Sequence, residues 1–239
     1  MSAVINREHK DRLFAFIFGC HENRRWTLEL YNALNGSNHN NAEDIEFNTI
    51  EDVIYMGMKN DVSFILYDYM NLYEKQSSYN PNMPLRKLMY VGKLYDKYIH
   101  GKRLNIYGEK KVKIPIPKLL VFYNGEKDIK DKTLNLYDLF DNKQKADEAD
   151  ITVRVRLINI NHKNNSRLLN ACKPLNEYSW FIERIRNHKI TMNIEVAVDM
   201  AINEMPEGYE IRNFLIQHRA EGARRPGDVC FAPTGTKWR

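Results

Sequence analysis

Asp61, Glu74 and Gln76 stand close together in the stretch NDVSFILYDYMNLYEKQSSYNPNMPLR, between Asn60 and Arg86. Two carboxylates brought side by side repel one another and need a cation or a shared proton between them. Mg²⁺ is such a cation: it takes oxygen ligands at about 2.0–2.1 Å, commonly one or two carboxylates completed by water and phosphate oxygens. A metal held this way activates water and offsets charge on a phosphodiester. The alternative is a solvated sheet face on which Asp61 and Glu74 pair with Lys or Arg.

Whether the three residues meet depends on the strands that carry them. Residues 61–67 (DVSFILY) and 69–76 (YMNLYEKQ) are rich in β-branched, aromatic and aliphatic side chains and predict an antiparallel hairpin. If Tyr67 and Asp68 form the turn, 66 pairs with 69 and 61 with 74. If Asp68 and Tyr69 form it, 61 pairs with 76 and 63 with 74. Because side chains alternate across a strand, both registers put Asp61, Glu74 and Gln76 on one face, and a slip of one residue would separate them. Lys75 points to the other face.

The surrounding elements follow from their periods. Residues 11–20 (DRLFAFIFGC) are short and apolar enough for helix or strand. Residues 21–36 (HENRRWTLELYNALNG) read as a helix, with Trp26, Leu30 and Leu34 on one stripe and Gly36 at its end. Residues 45–50 (IEFNTI) alternate as a strand. Residues 85–99 predict a helix with Leu85, Leu88, Met89, Gly92, Tyr95 and Ile99 on its apolar face, entered through NPNMP. A buried strand, KLLVFY, closes on Asn124-Gly125. In residues 151–160, Val153, Val155 and Leu157 face opposite to Arg154 and Arg156. From about 165 to 220 the pattern is helical. The expectation is one domain over 1–220, with a core at about 11–125, a helical C-terminal part at about 165–220, and an irregular tail over 221–239. The class is α/β, a mixed sheet flanked by helices.

Composition bounds the rest. The 239 residues are 43% hydrophobic and 28% charged, as in a folded domain, with a formal net charge of +5 that permits a polyanionic partner without requiring one. Cys20, Cys172 and Cys230 are widely spaced and odd in number, which argues against a disulfide framework or a zinc site and fits a reducing cytoplasm. No apolar run is long enough to span a membrane. The phosphate-binding loops G-x-x-x-x-G-K-[ST] and G-x-G-x-x-G, the nucleophile elbow G-x-S-x-G and the zinc motif H-E-x-x-H do not occur.

The order helix, three strands, helix, strand, with an Asp opening the second strand and a Glu-x-polar triplet closing the third, resembles the PD-(D/E)XK nuclease superfamily. The segments KNDVSF, NLYEKQSSYNPNMPLR and IPIPKLLVFYNG resemble its recombination-promoting nuclease, or transposase-like, branch, over roughly residues 6–220. The resemblance implies a restriction-endonuclease-like core and a metal-dependent DNA endonuclease of a bacterial mobile element. It implies Asp61 and Glu74 as ligands of Mg²⁺ or Mn²⁺, and Gln76 as the residue that positions water where most of the superfamily has Lys. Glu29 is the further acidic ligand expected from the first helix, with Asp11 (otherwise a helix cap) and Glu46 as weaker candidates. Arg86, Lys87 and Lys93, and the basic strand face of Arg154 and Arg156, are candidate phosphate contacts. A homodimer suits a cut through both strands. The competing expectation is an inactive member of the same fold that binds DNA or protein.

Overall fold

The computed structural model describes residues 7–48, 61–162 and 164–221. The chain divides into two compact units, one from residues 43–160 and the other from residues 1–42 with 161–239. The tail expected over 221–239 lies, apart from Glu221, outside the described residues.

The first unit is built on a six-stranded mixed sheet in the order β1-β2-β3-β4-β6-β5. Its strands are β1 (Glu46–Phe47), β2 (Asp61–Leu66), β3 (Tyr69–Gln76), β4 (Ile116–Tyr123), β5 (Lys132–Asn135) and β6 (Arg154–Asn159). β2 runs antiparallel to β1 and β3, β4 runs parallel to β3 and β6, and β5 returns antiparallel on the edge beside β6. The class is therefore α/β. β5 was not legible in the sequence: KTLN is short, polar and without clear alternation. β1 is shorter than residues 45–50 predict, and residues 49–50 lie outside the described residues.

One long helix, α3 (Met83–Gly101), connects β3 to the parallel β4, as a parallel pair requires a crossover. Pro84 sits in its first turn, where the missing N–H costs nothing. Its buried stripe is Met83, Lys87, Tyr90 and Leu94, spaced for one helical face. Tyr90 and Leu94 pack on Ile65, Met70 and Leu72, and Met83 packs on Val121, Tyr123, Val155 and Leu157. This corrects the apolar face read from sequence: Leu85 and Met89 are 46% and 50% exposed. The helix is rotated because a charged residue, Lys87, belongs to its buried side.

At the end of β4, Gly125 has no room for a side chain. A Cβ there would fall inside contact distance of the Ser77 carbonyl oxygen and the Tyr123 hydroxyl. Asn124 N–H donates to the Gln76 carbonyl at 3.0 Å, so this close approach ties the end of β3 to the end of β4.

The second unit is helical among the described residues: α1 (Arg7–Phe18), α2 (Arg24–Asn35), α4 (Ser166–Ala171), α5 (Lys173–Lys189), α6 (Ile194–Glu204) and α7 (Glu210–Glu221). Residues 11–20 thus resolve as helix, and Asp11 lies inside α1 rather than capping it. Gly36 ends α2 in the left-handed conformation at φ 63°. Phe14, Phe18 and Tyr178 form an aromatic cluster in this unit's core. Cys172 is a free, buried thiol. Among the described residues no helix is long and apolar enough to cross a membrane.

Gly125→Ala is expected to destabilise the protein by about 1–3 kcal/mol through overpacking, read as a lower urea midpoint with unchanged slope. A variant as stable as the parent would show that the Ser77–Gly125 approach is not a constraint.

Candidate active site

The β2–β3 hairpin turns at Tyr67-Asp68, with Leu66 opposite Tyr69 and Asp61 opposite Glu74, the first of the two registers the sequence allows. Tyr67 takes the positive φ of 53° that the turn requires, without the usual Asn or Gly. Asp61, Glu74 and Gln76 share a face, and Gln76 Nε2 donates to Glu74 Oε1. Asp61 and Glu74 are each 3% exposed. The three residues are one cluster, on the sheet face that α3 covers.

α3 delivers two cations into that cluster. Lys87 Nζ lies 2.9 Å from Glu74 Oε2 and 3.4 Å from Asp61 Oδ2, and Lys87 is itself 1% exposed. Arg86 reaches Glu74 Oε1 at 3.0 Å. Lys87 is buried rather than on the surface, and the half-buried Arg86 turns its guanidinium onto Glu74. Lys93, one helical turn and a half further on, is exposed. Sequence reading puts Lys87 on the solvent face, where a charge is normally assigned. The available signal was its place in the stripe of Met83, Tyr90 and Leu94.

The two carboxylates are not equivalent. Glu74 accepts from Gln76, Arg86 and Lys87. Burial alone would raise its pKa, but the nearby Lys87 and Arg86 charges outweigh burial and hold it below the ordinary value. Asp61 receives only the longer Lys87 contact, and its Oδ1 is buried without a hydrogen-bond partner. Burial, reinforced by the Glu74 charge and only partly offset by Lys87, pushes Asp61 up to about 7. Burial disfavours the Lys87 ammonium, but Asp61 and Glu74 more than compensate and raise its pKa.

The donors fit a small divalent cation. Two buried carboxylates already converge on one positive charge, and one carboxylate oxygen is left without a partner. Gln76 adds an amide whose carbonyl oxygen can accept from water. Among the described residues no group of three or more His, Cys, Asp or Glu side chains gathers to hold a metal, so the fit rests on this pair.

Comparison with family models, with curated proteins and with solved structures finds no match to this chain.

The other acidic candidates have different partners. Glu29 lies in the helical unit and accepts from the backbone N–H of Lys173 at 2.6 Å, satisfying a free donor at the start of α5. Buried Glu177 does the same for Ile211 in α7 at 3.0 Å. Glu46 forms an exposed ion pair with Lys102 at 3.5 Å. Lys75 is buried on the sheet face opposite Glu74.

The folded state retains a proton on Asp61 that the unfolded chain loses above 3.8, so this contribution to stability is complete below that value and is lost as pH rises through about 7. Denaturant titrations should show stability falling between about pH 4 and 7 in the parent, and a flatter profile in Asp61→Asn. Equal slopes in the two proteins would contradict this assignment. Lys87→Met should cost about 3–5 kcal/mol near pH 8, where it strands buried carboxylates, and adding Asp61→Asn should recover part of the loss. Additive effects in the double variant would mean the two side chains do not interact.

Proposed function

We propose that the chain is a metal-dependent phosphodiesterase acting on DNA, an endonuclease with a PD-(D/E)XK-like core. The observation that carries this reading is the buried Asp61–Glu74 pair, gathered around one cation with Asp61 Oδ1 left unpartnered. The strand order β1-β2-β3 followed by α3 and a parallel β4 supports it. Asp61 and Glu74 would hold Mg²⁺ or Mn²⁺, which when bound activates water and offsets charge on the phosphate. Gln76 is uncharged, so it orients water and fixes Glu74 rather than stabilising an anion. Lys87 supplies the positive charge that Gln76 lacks, from the helix instead of the strand. Its electrostatic effect is strong because the site is buried. Glu29 remains the further acidic candidate that the resemblance implies. The association with a bacterial mobile element, the cytoplasmic location and the homodimer belong to the same proposal.

A second reading is favoured by one observation: with Asp61 and Glu74 ionised, Lys87 and Arg86 neutralise the cluster completely. On that reading the network holds α3 to the sheet, and the protein binds DNA or a partner without cutting.

Nicking of supercoiled plasmid separates the two. The catalytic reading predicts nicking that requires Mg²⁺ or Mn²⁺ and falls at least about a hundredfold, the equivalent of roughly 3 kcal/mol, in both Asp61→Ala and Glu74→Ala. A folded parent that never nicks with either metal would leave the binding reading.

A further inference from the structure

The sheet unit carries a second feature that the carboxylate cluster does not use. Between α3 and β4, residues 102–115 run without helix or strand. Connections of this length are uncommon in compact domains and are usually either functional loops or linkers. From Arg103 to Lys118 there are five cations, Arg103, Lys110, Lys111, Lys113 and Lys118, against the single acid Glu109. The segment's net charge of +4 is nearly the whole chain's +5. All five cations are exposed. The Lys118 ammonium lies over the Tyr69 ring, 4.8 Å from its centroid.

The same loop holds out apolar side chains. Tyr107 is 94% exposed and Ile106 is 50% exposed at its tip. Exposed cations interleaved with an aromatic ring match the needs of a nucleic-acid backbone and its bases: charge for phosphates and a flat surface for stacking. Next along the sheet, β6 turns Arg154 and Arg156 outward, and Arg156 neighbours Leu120 of β4.

The place of the loop on the sheet sets the scale. It enters β4 at Ile116, which pairs with Tyr69, whereas Glu74 lies five residues further along β3. At about 3.3 Å per residue that offset is about 17 Å, which is about five steps of a duplex at 3.4 Å each.

We infer that the α3–β4 loop is a nucleic-acid docking surface: Lys110, Lys111 and Lys113 engage the phosphates of duplex DNA about half a helical turn from the carboxylate site, and Tyr107 makes the non-ionic contact. The inference rests on the nuclease reading for the choice of DNA as partner, and its test does not depend on cleavage.

The test is binding of a fluorescent 20-base-pair duplex in EDTA across a series of salt concentrations. Lys110→Ala/Lys111→Ala/Lys113→Ala should weaken binding at least tenfold at low salt. It should also make the slope of log K against log salt shallower by about 2.7, which is 0.9 for each phosphate that the variant no longer neutralises. Its melting temperature should match the parent's, because the three side chains are exposed. Tyr107→Ala should lower affinity with the slope unchanged. A triple variant that binds with the parent's affinity and slope overturns the inference. If that variant also nicks plasmid as the parent does, the nuclease reading stands without it. A parent that binds through the loop yet never nicks retains the docking surface and removes the nuclease reading.

Discussion

The sharing of one buried ammonium between two carboxylates organises the sheet unit. Lys87 sits buried against Glu74 and Asp61. Removing a Lys and two acids from water is costly, and their mutual attraction offsets that cost only when the contacts are close. The strands must therefore pair so that Asp61 faces Glu74, and α3 must present Lys87 rather than a neighbouring residue. A one-residue slip of the hairpin, or a quarter turn of the helix, would strand buried charge. Hydrophobic packing alone tolerates such shifts more readily.

The remainder of the unit is arranged around that requirement. The rotation that buries Lys87 also buries Met83, Tyr90 and Leu94 and leaves Leu85 and Met89 outside. Gln76 and Arg86 complete the hydrogen bonding of Glu74, while Gly125 and Asn124 fix the strand end on which Gln76 stands. The result is an uneven pair, with Glu74 saturated and Asp61 under-satisfied. That unevenness places the raised pKa, and the buried oxygen without a hydrogen-bond partner, on the same residue.

Much of this was legible in the chain before folding. Alternation in residues 61–76 confines Asp61, Glu74 and Gln76 to one face, and the folded hairpin adopts one of the two registers that alternation permits. Val155 and Leu157 inward with Arg154 and Arg156 outward follow from the same period. What local pattern cannot show is a partner far along the chain. Lys87 looked like a solvent charge because its two carboxylates lie on strands, not on its helix. The backbone N–H that Glu29 accepts from, at Lys173, is likewise far along the chain. β5 was missed since its four residues owe their extended form to pairing with β6.

We propose that Asp61, Glu74 and Lys87 form a single cation site in which a divalent metal can replace or join the ammonium. Calorimetric titration of Mn²⁺ into the metal-free protein tests it most directly. Such a site predicts one ion per chain, binding abolished in Asp61→Asn and Glu74→Gln, and tighter binding in Lys87→Met, where the internal competitor is gone. A folded parent that takes up no Mn²⁺, or one whose binding survives both carboxylate variants, would contradict it.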